Sequence, residues 1–151
     1  MEKSTLLSFL KTNLIKVGIL LLFLNFNNAF AQLTLTSSVP ADEATVTAVN
    51  DNLVLTFNKN IKFGAAGNIT VTDLTDTSRS FVIDVADPSG TSNEASFSTN
   101  ELTINPDVDL YNNSSFSVQI DADAIVANGD SDKYAGISGN TTLSFETVAL
   151  L

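Results

Sequence analysis

The sequence predicts an all-β protein, an antiparallel β-sandwich of seven to eight short strands. Three observations predict it. Apolar and polar residues alternate with period two along most of the chain after residue 31; the runs are short and rich in β-branched and aromatic residues; and Asn, Asp, Gly, Ser and Pro fill the joins between them. Alternation sends successive side chains to opposite faces, so each run reads as a strand with one buried face and one wet one. Seven or eight such strands in one domain close their apolar faces against each other as two packed sheets, a closed barrel being the competing all-β solution.

The runs follow in order. Leu33 and Leu35 alternate with Thr34 and Thr36, and Leu53, Leu55 and Phe57 alternate with Val54 and Thr56. The pattern returns at Ile69-Thr70-Val71-Thr72, Phe81-Val82-Ile83-Asp84-Val85 and Leu102-Thr103-Ile104. It closes with Phe116-Ser117-Val118-Gln119-Ile120 and Leu143-Ser144-Phe145-Glu146. One stretch breaks the rhythm: Asp121-Ala122-Asp123-Ala124-Ile125-Val126 is Ala-rich without alternation and reads as a single helical turn. Internal repeats and coiled-coil heptads are absent from the sequence.

Residues 1–31 read as a cleaved secretory signal. Lys3, Lys11 and Lys16 precede the apolar run Val17 to Leu24, and Ala29-Phe30-Ala31 before Gln32 is a small-x-small cleavage pattern. The run is shorter than the ~18 residues a membrane span needs, so residues 32–151 are expected as a secreted mature domain with no span of its own. A domain of this length buries roughly two-thirds of its unfolded surface, enough for a core without staples.

Absences narrow the chemistry. The 151 residues include no Cys, His or Trp, which excludes Ser-His-Asp and Cys-His nucleophiles, a disulfide framework and the usual N/S-ligand metal sites. Seven basic residues stand against 17 acidic, a net charge of -10. Removing Lys3, Lys11, Lys16 and Glu2 with the leader leaves four basic and 16 acidic residues, a net of -12. So acidic a chain cannot build the basic patch that nucleic-acid phosphates require. Carboxylate pairs for glycoside hydrolysis exist, Asp84 with Asp87 and Asp107 with Asp109, but in an Asp-rich chain such pairs arise by chance. The expectation is a protein that is not an enzyme.

A set of motifs in fixed order carries a resemblance. Ser38-Val39-Pro40-Ala41-Asp42 opens it; Leu53 to Ile61 and Gly67-Asn68-Ile69-Thr70-Val71 follow. Then come Leu102-Thr103-Ile104-Asn105-Pro106, Phe116 to Ala122, Tyr134-Ala135-Gly136-Ile137 and Thr142 to Thr147. In this order, from about Ser37 to Val148, the chain resembles the bacterial Ig-like module of the surface-layer (SbsA) type. The resemblance implies an immunoglobulin-like sandwich acting as a non-catalytic structural, adhesive or interaction module at the cell surface. Its partners would be other extracellular or cell-surface proteins or neighbouring modules. Lacking Cys and Trp, it is not the antibody type with a Cys…Trp…Cys core. Where the family commonly carries Tyr, this chain has Phe116, with Tyr111 nearby as a substitute for tying the corner. The chain stops soon after its last strand, which leads to the expectation of a separately encoded partner or a longer reading frame.

The candidate site is the loop before the last strand. Asp121, Asp123, Asp130 and Asp132 fall within twelve residues, with Asn128 and Gly129 for a tight turn. Hard cations such as calcium take six to eight oxygen ligands of this kind, although the spacing is not that of an EF-hand. One reading is a solvated acidic turn; the other is a weak calcium site formed by these four carboxylates. A ligand-binding module, calcium-dependent or carbohydrate-directed, would use this loop with Tyr134. Tyr111 and Tyr134 are the aromatic side chains outside the strand pattern.

Overall fold

The computed structural model describes residues 31–89 and 93–148. The leader read at residues 1–31 lies outside them apart from Ala31. Eleven strands are present among the described residues: β1 Leu35–Val39, β2 Ala44–Thr47, β3 Leu53–Phe57, β4 Ile61–Phe63, β5 Asn68–Asp73, β6 Phe81–Asp84, β7 Glu94–Ser98, β8 Glu101–Asn105, β9 Ser115–Ile120, β10 Ile125–Ala127 and β11 Ser144–Thr147. A 3-10 turn, Thr77–Arg79, separates β5 from β6.

One sheet has the order β1-β3-β8-β7 and the other β2-β11-β9-β5-β6, while β4 and β10 form a two-stranded ladder. Pairing is antiparallel except between β2 and β11, which run parallel. After β1 the chain passes through the cis Val39-Pro40 bond and joins the second sheet as β2.

The alternation read from the sequence is what fills the space between the sheets. In β3, Leu53, Leu55 and Phe57 are buried while Val54 and Thr56 are half-buried; β8 opposes them with Leu102 and Ile104. From the second sheet Ile69, Val71, Phe116, Val118, Ile120 and Phe145 join the same core. Phe116 stacks on Phe145 with centroids 5.6 Å apart. Each fully buried Leu, Ile or Phe contributes about 1.5–3 kcal/mol, and in a chain without Cys this double row supplies the stability.

All seven runs read from the sequence lie on strands, the first shifted toward Val39. The expected helical turn at Asp121–Val126 is corrected: residues 122–124 form a turn and Ile125–Ala127 is β10, paired with β4. Ala124 and Ile125 are fully buried; the burial that makes this stretch apolar comes from docking on β4, not from a helical face.

The ends of the sandwich differ. β1 starts where β3 ends, with Leu35 opposite Phe57, and Asn58 Nδ2 donates to Gln32 O at 2.8 Å. β11 ends where β3 starts: Val148 N donates to Thr47 O, and Asn113 N donates to Val148 O. The described chain thus enters at one pole and leaves at the other.

Candidate functional site

The entry pole is organised by the turn that follows β3. Phe57 N donates to Asn100 O at 2.8 Å, and Asn100 Nδ2 donates back to Phe57 O at 2.9 Å. Ile61 N donates to Thr99 O, and Asn60 O accepts from Asn128 N. These bonds fix the turn against the β7–β8 hairpin and against the loop after β10. Lys59 is thereby held over the acidic loop, its side chain only 19% exposed.

Lys59 Nζ donates to Asp130 Oδ2 at 2.9 Å and to Asp132 Oδ2. Asp130 Oδ1 accepts the N–H of Asp132 at 2.9 Å. The hydrogen bonds to Asp132 and Asp130 hold the Lys59 ammonium above its ordinary pKa, and the Lys59 hydrogen bond holds the Asp130 carboxyl below its own. The remaining two carboxylates go elsewhere. Asp121 Oδ2 accepts from Asn68 N at 2.9 Å and Asn68 Nδ2 at 3.2 Å, and Asp123 pairs with Lys133 at 2.6 Å in an exposed ion pair.

The structure therefore brings Asp130 and Asp132 together, and around an ammonium; Asp121 and Asp123 each serve a different partner. Among the described residues no group of three or more His, Cys, Asp or Glu side chains comes together to hold a metal ion. Lys59 is the part of this arrangement that sequence reasoning missed, because its partners lie 71 and 73 residues away. The aspartate pairs considered for hydrolysis start at strand ends: Asp84 closes β6 and its Oδ1 accepts from Ala86 N, and Asp107, in the bend after β8, donates its N–H to Asn93 Oδ1.

Tyr134 is corrected from an available aromatic to a core residue. It is 8% exposed, its ring edge-on to Phe57 at 5.2 Å, and burial raises its hydroxyl pKa. The segment that carries it docks on β9 and β10 through Tyr134 N to Ile125 O and Ile137 N to Ile120 O, so it packs inward without strand alternation. Tyr134 therefore offers no exposed aromatic ring among the described residues.

The exit pole holds the other charged cluster. Asp73 occupies the third inward position of β5, after Ile69 and Val71, and is fully buried. Its Oδ1 accepts the N–H groups of Thr75 and Asp76; its Oδ2 has no hydrogen bond and faces Arg79 NH1 at 3.7 Å. Arg79 Nε also contacts Asp76 at 3.1 Å. Asp76 lies below its ordinary pKa, chiefly through the hydrogen bonds from the Ser78 hydroxyl and N–H, with Arg79 adding to the effect. The Arg79 guanidinium covers the ring of Tyr111 at 4.0 Å. Tyr111 does not tie the corner through its hydroxyl, which makes no hydrogen bond among the described residues. The tie is made by Thr147 instead: its Oγ1 donates to Tyr111 O at 2.6 Å and accepts from Ser114 N at 3.1 Å.

Two sheets of four and five strands, a first strand pair divided between them and a core of alternating apolar rows define an immunoglobulin-like sandwich module. The family model described as bacterial Ig-like domain matches residues 30–147, and the chain belongs to that family. Domains of this family are typically extracellular and generally non-enzymatic. Among solved structures, the crystal structure of CopC from Methylosinus trichosporium OB3b is similar at 14% sequence identity and a TM-score of 0.47, covering 77% of this chain and 93% of that chain. A comparison with curated proteins finds no match. No helix among the described residues is long and apolar enough to cross a membrane.

Proposed function

We propose that the protein is an exported Ig-like module of the surface-layer (SbsA) type, with a structural or adhesive role at the cell surface. In this reading residues 1–31 are a signal peptide removed after Ala31, and residues 32–151 are the module. The observation that carries the reading is the placement of entry and exit at opposite poles, with the turn after β3 bonded to Gln32 at one and Val148 bonded to Thr47 at the other. A sandwich threaded this way holds its two ends apart at opposite poles, a geometry that suits a structural or display module. The charged loops support the same reading, since their carboxylates bond to lysines and backbone groups of the fold itself.

The test is export and retention. Expressed from its full sequence in a bacterial host, the chain is expected in the exported or cell-surface fraction with a mass that begins at Gln32. Recovery of the uncleaved chain inside the cell overturns the export reading. In the native host, deletion is expected to reduce surface adherence or envelope integrity; a deletion strain normal in both removes the structural and adhesive role.

A further inference from the structure

We infer that β6, the end strand of the five-stranded sheet, pairs antiparallel with β6 of a second copy of this chain across a two-fold axis at Val82. Two sheets of five strands are thereby joined into one of ten. The pairing depends on the sheet edge alone and not on export.

Four strands end the two sheets: β1 and β7 in one, β2 and β6 in the other. An end strand presents a row of unpaired N–H and C=O groups that another strand can complete, and folds blunt it with bulges, Pro, Lys or a covering loop. Three of the four are blunted. The pairing of β1 with β3 shifts register between Leu35 and Ser37, and that of β11 with β2 between Phe145 and Thr147. In β7 the outward N–H of Ala95 donates to Pro88 O, and Thr99 O just beyond the strand accepts from Ile61 N. β6 has none of these devices: it keeps one register with β5 from Phe81 to Asp84 and contains neither Lys nor Pro.

Which backbone groups of β6 are open follows from parity. Val85 N donates to Gly67 O, and the backbone groups of successive strand residues point to alternate sides. Ile83 and Phe81 therefore face β5, while Val82 and Asp84 turn outward, as does the extended Ser80. Two of the outward groups are satisfied within the chain, since Ser80 N donates to Thr77 O and Asp84 O accepts from Asp87 N. Ser80 O, Val82 N, Val82 O and Asp84 N remain, with no hydrogen bond among the described residues.

That set is its own complement. Across a two-fold axis at Val82, the two Val82 residues exchange N–H and C=O, and each Asp84 N donates to Ser80 O of the other copy, so every open group is used and none is left over. Val82, 51% exposed on the outer face, lies beside Val82 of the second copy as a β-branched cross-strand pair. Charge permits the approach. Asp84 falls opposite Ser80, and the two Asp84 carboxylates are about 13 Å apart along the strands, farther than the screening length of about 8 Å at physiological salt. A foreign strand finds less to recognise. Strand addition takes its specificity from pockets for alternate side chains, and the neighbours of Val82 and Asp84 on β5 are Thr70 and Asn68, short polar side chains that frame none.

The test is sedimentation equilibrium of residues 32–151, one compact unit, over a concentration series up to about 1 mM, where so small a contact becomes populated. A monomer–dimer equilibrium is expected, tighter at high salt than at low because both copies carry the same acidic excess. Amide exchange is expected to slow at Val82 and Asp84 as concentration rises, while Phe81 and Ile83, bound to β5, stay protected throughout. Val82→Lys sets two like charges side by side at the axis and is expected to weaken the dimer about tenfold or more. Val82→Thr, which keeps the β-branch, is expected to stay within about threefold of the native chain. Ser96→Lys, on the guarded edge β7, is expected to change nothing. A chain monomeric at every concentration overturns the inference. So does a dimer that Val82→Lys leaves intact or that Ser96→Lys weakens equally, and so does assembly past two copies, because a two-fold pairing uses up the edge. If the concentrated chain stays monomeric and the Val82 and Asp84 amides slow only on adding a Val-rich extended peptide, the edge belongs to a foreign strand and the second copy is excluded.

Discussion

The Lys59 ammonium lies 2.9 Å from the Asp130 carboxylate, across 71 residues of chain, and it also bonds to Asp132. One side chain thus joins the end of β3 to the loop before the last strand, and its pH behaviour has a sign on each side. Asp130 lies below its ordinary pKa, so its contribution is complete above the usual Asp value of about 3.9 and is lost as pH falls through the lowered one. Lys59 lies above its ordinary pKa, so its contribution is complete below about 10.4 and is lost as pH rises through the raised one. Lys59→Met is therefore expected to lower Tm most on the plateau between these limits and progressively less toward both. Calorimetric Tm values of both proteins against pH check this; a gap constant from acid to alkali would assign the loss to packing alone.

The same ammonium bears on calcium. The four loop carboxylates diverge toward Lys59, Lys133 and Asn68, and a calcium ion would have to replace the lysines and gather ligands that point apart. Melting curves in excess calcium and in chelator are expected to coincide. A calcium-dependent rise in Tm that Lys59→Met enlarges would show that the ion competes with Lys59 for the loop carboxylates.

What the sequence revealed follows from what alternation can encode. Runs such as Leu53 to Phe57 and Phe116 to Ile120 announce their buried faces because every second residue is large and apolar. β2, β4, β7 and β10 are three to five residues long, and Ala44-Thr45-Val46-Thr47 or Glu94-Ala95-Ser96-Phe97-Ser98 offers one or two apolar residues against a polar background. Their strand character comes from neighbours: β4 is held by β10, and Phe63 meets Phe97 edge-on at 5.2 Å. The acidic loop was visible as composition, but which carboxylate meets which cation is set by strands far apart in the chain. Tyr134 escaped notice as a core residue because it is buried by a docked loop, where no period exists to mark it.

A close backbone approach gives a steric prediction. Gly64 N donates to Ala124 O at 2.8 Å, and a Cβ placed on Gly64 would lie 2.1 Å from the carbonyl oxygen of Asp123. Backbone cannot swing aside as a side chain can. Gly64→Ala is expected to cost about 1–3 kcal/mol by overpacking. Gly139→Ala, where the added carbon meets the Thr142 hydroxyl at 3.1 Å, is expected to be far milder. Denaturant midpoints of the two variants decide it, and equal losses would show that the β4–β5 connection is free to move.

The buried carboxylate of Asp73 gives the sharpest double-variant test. Its Oδ2 is shut away from solvent with the Arg79 guanidinium at 3.7 Å as its counter-charge, while Oδ1 caps the turn through Thr75 and Asp76. Removing one partner of a buried pair costs about 3–5 kcal/mol because it strands a charge. Arg79 is 31% exposed, so part of that cost is screened by water and Arg79→Met is expected to lose about 1–3 kcal/mol, including its cover over Tyr111. Asp73→Asn keeps an acceptor for the turn while removing the charge. The combination of Arg79→Met with Asp73→Asn is therefore expected to be more stable than Arg79→Met alone, an interaction free energy measurable by a double-mutant cycle in urea. If the two losses simply add, the Asp73 charge is compensated by something other than Arg79.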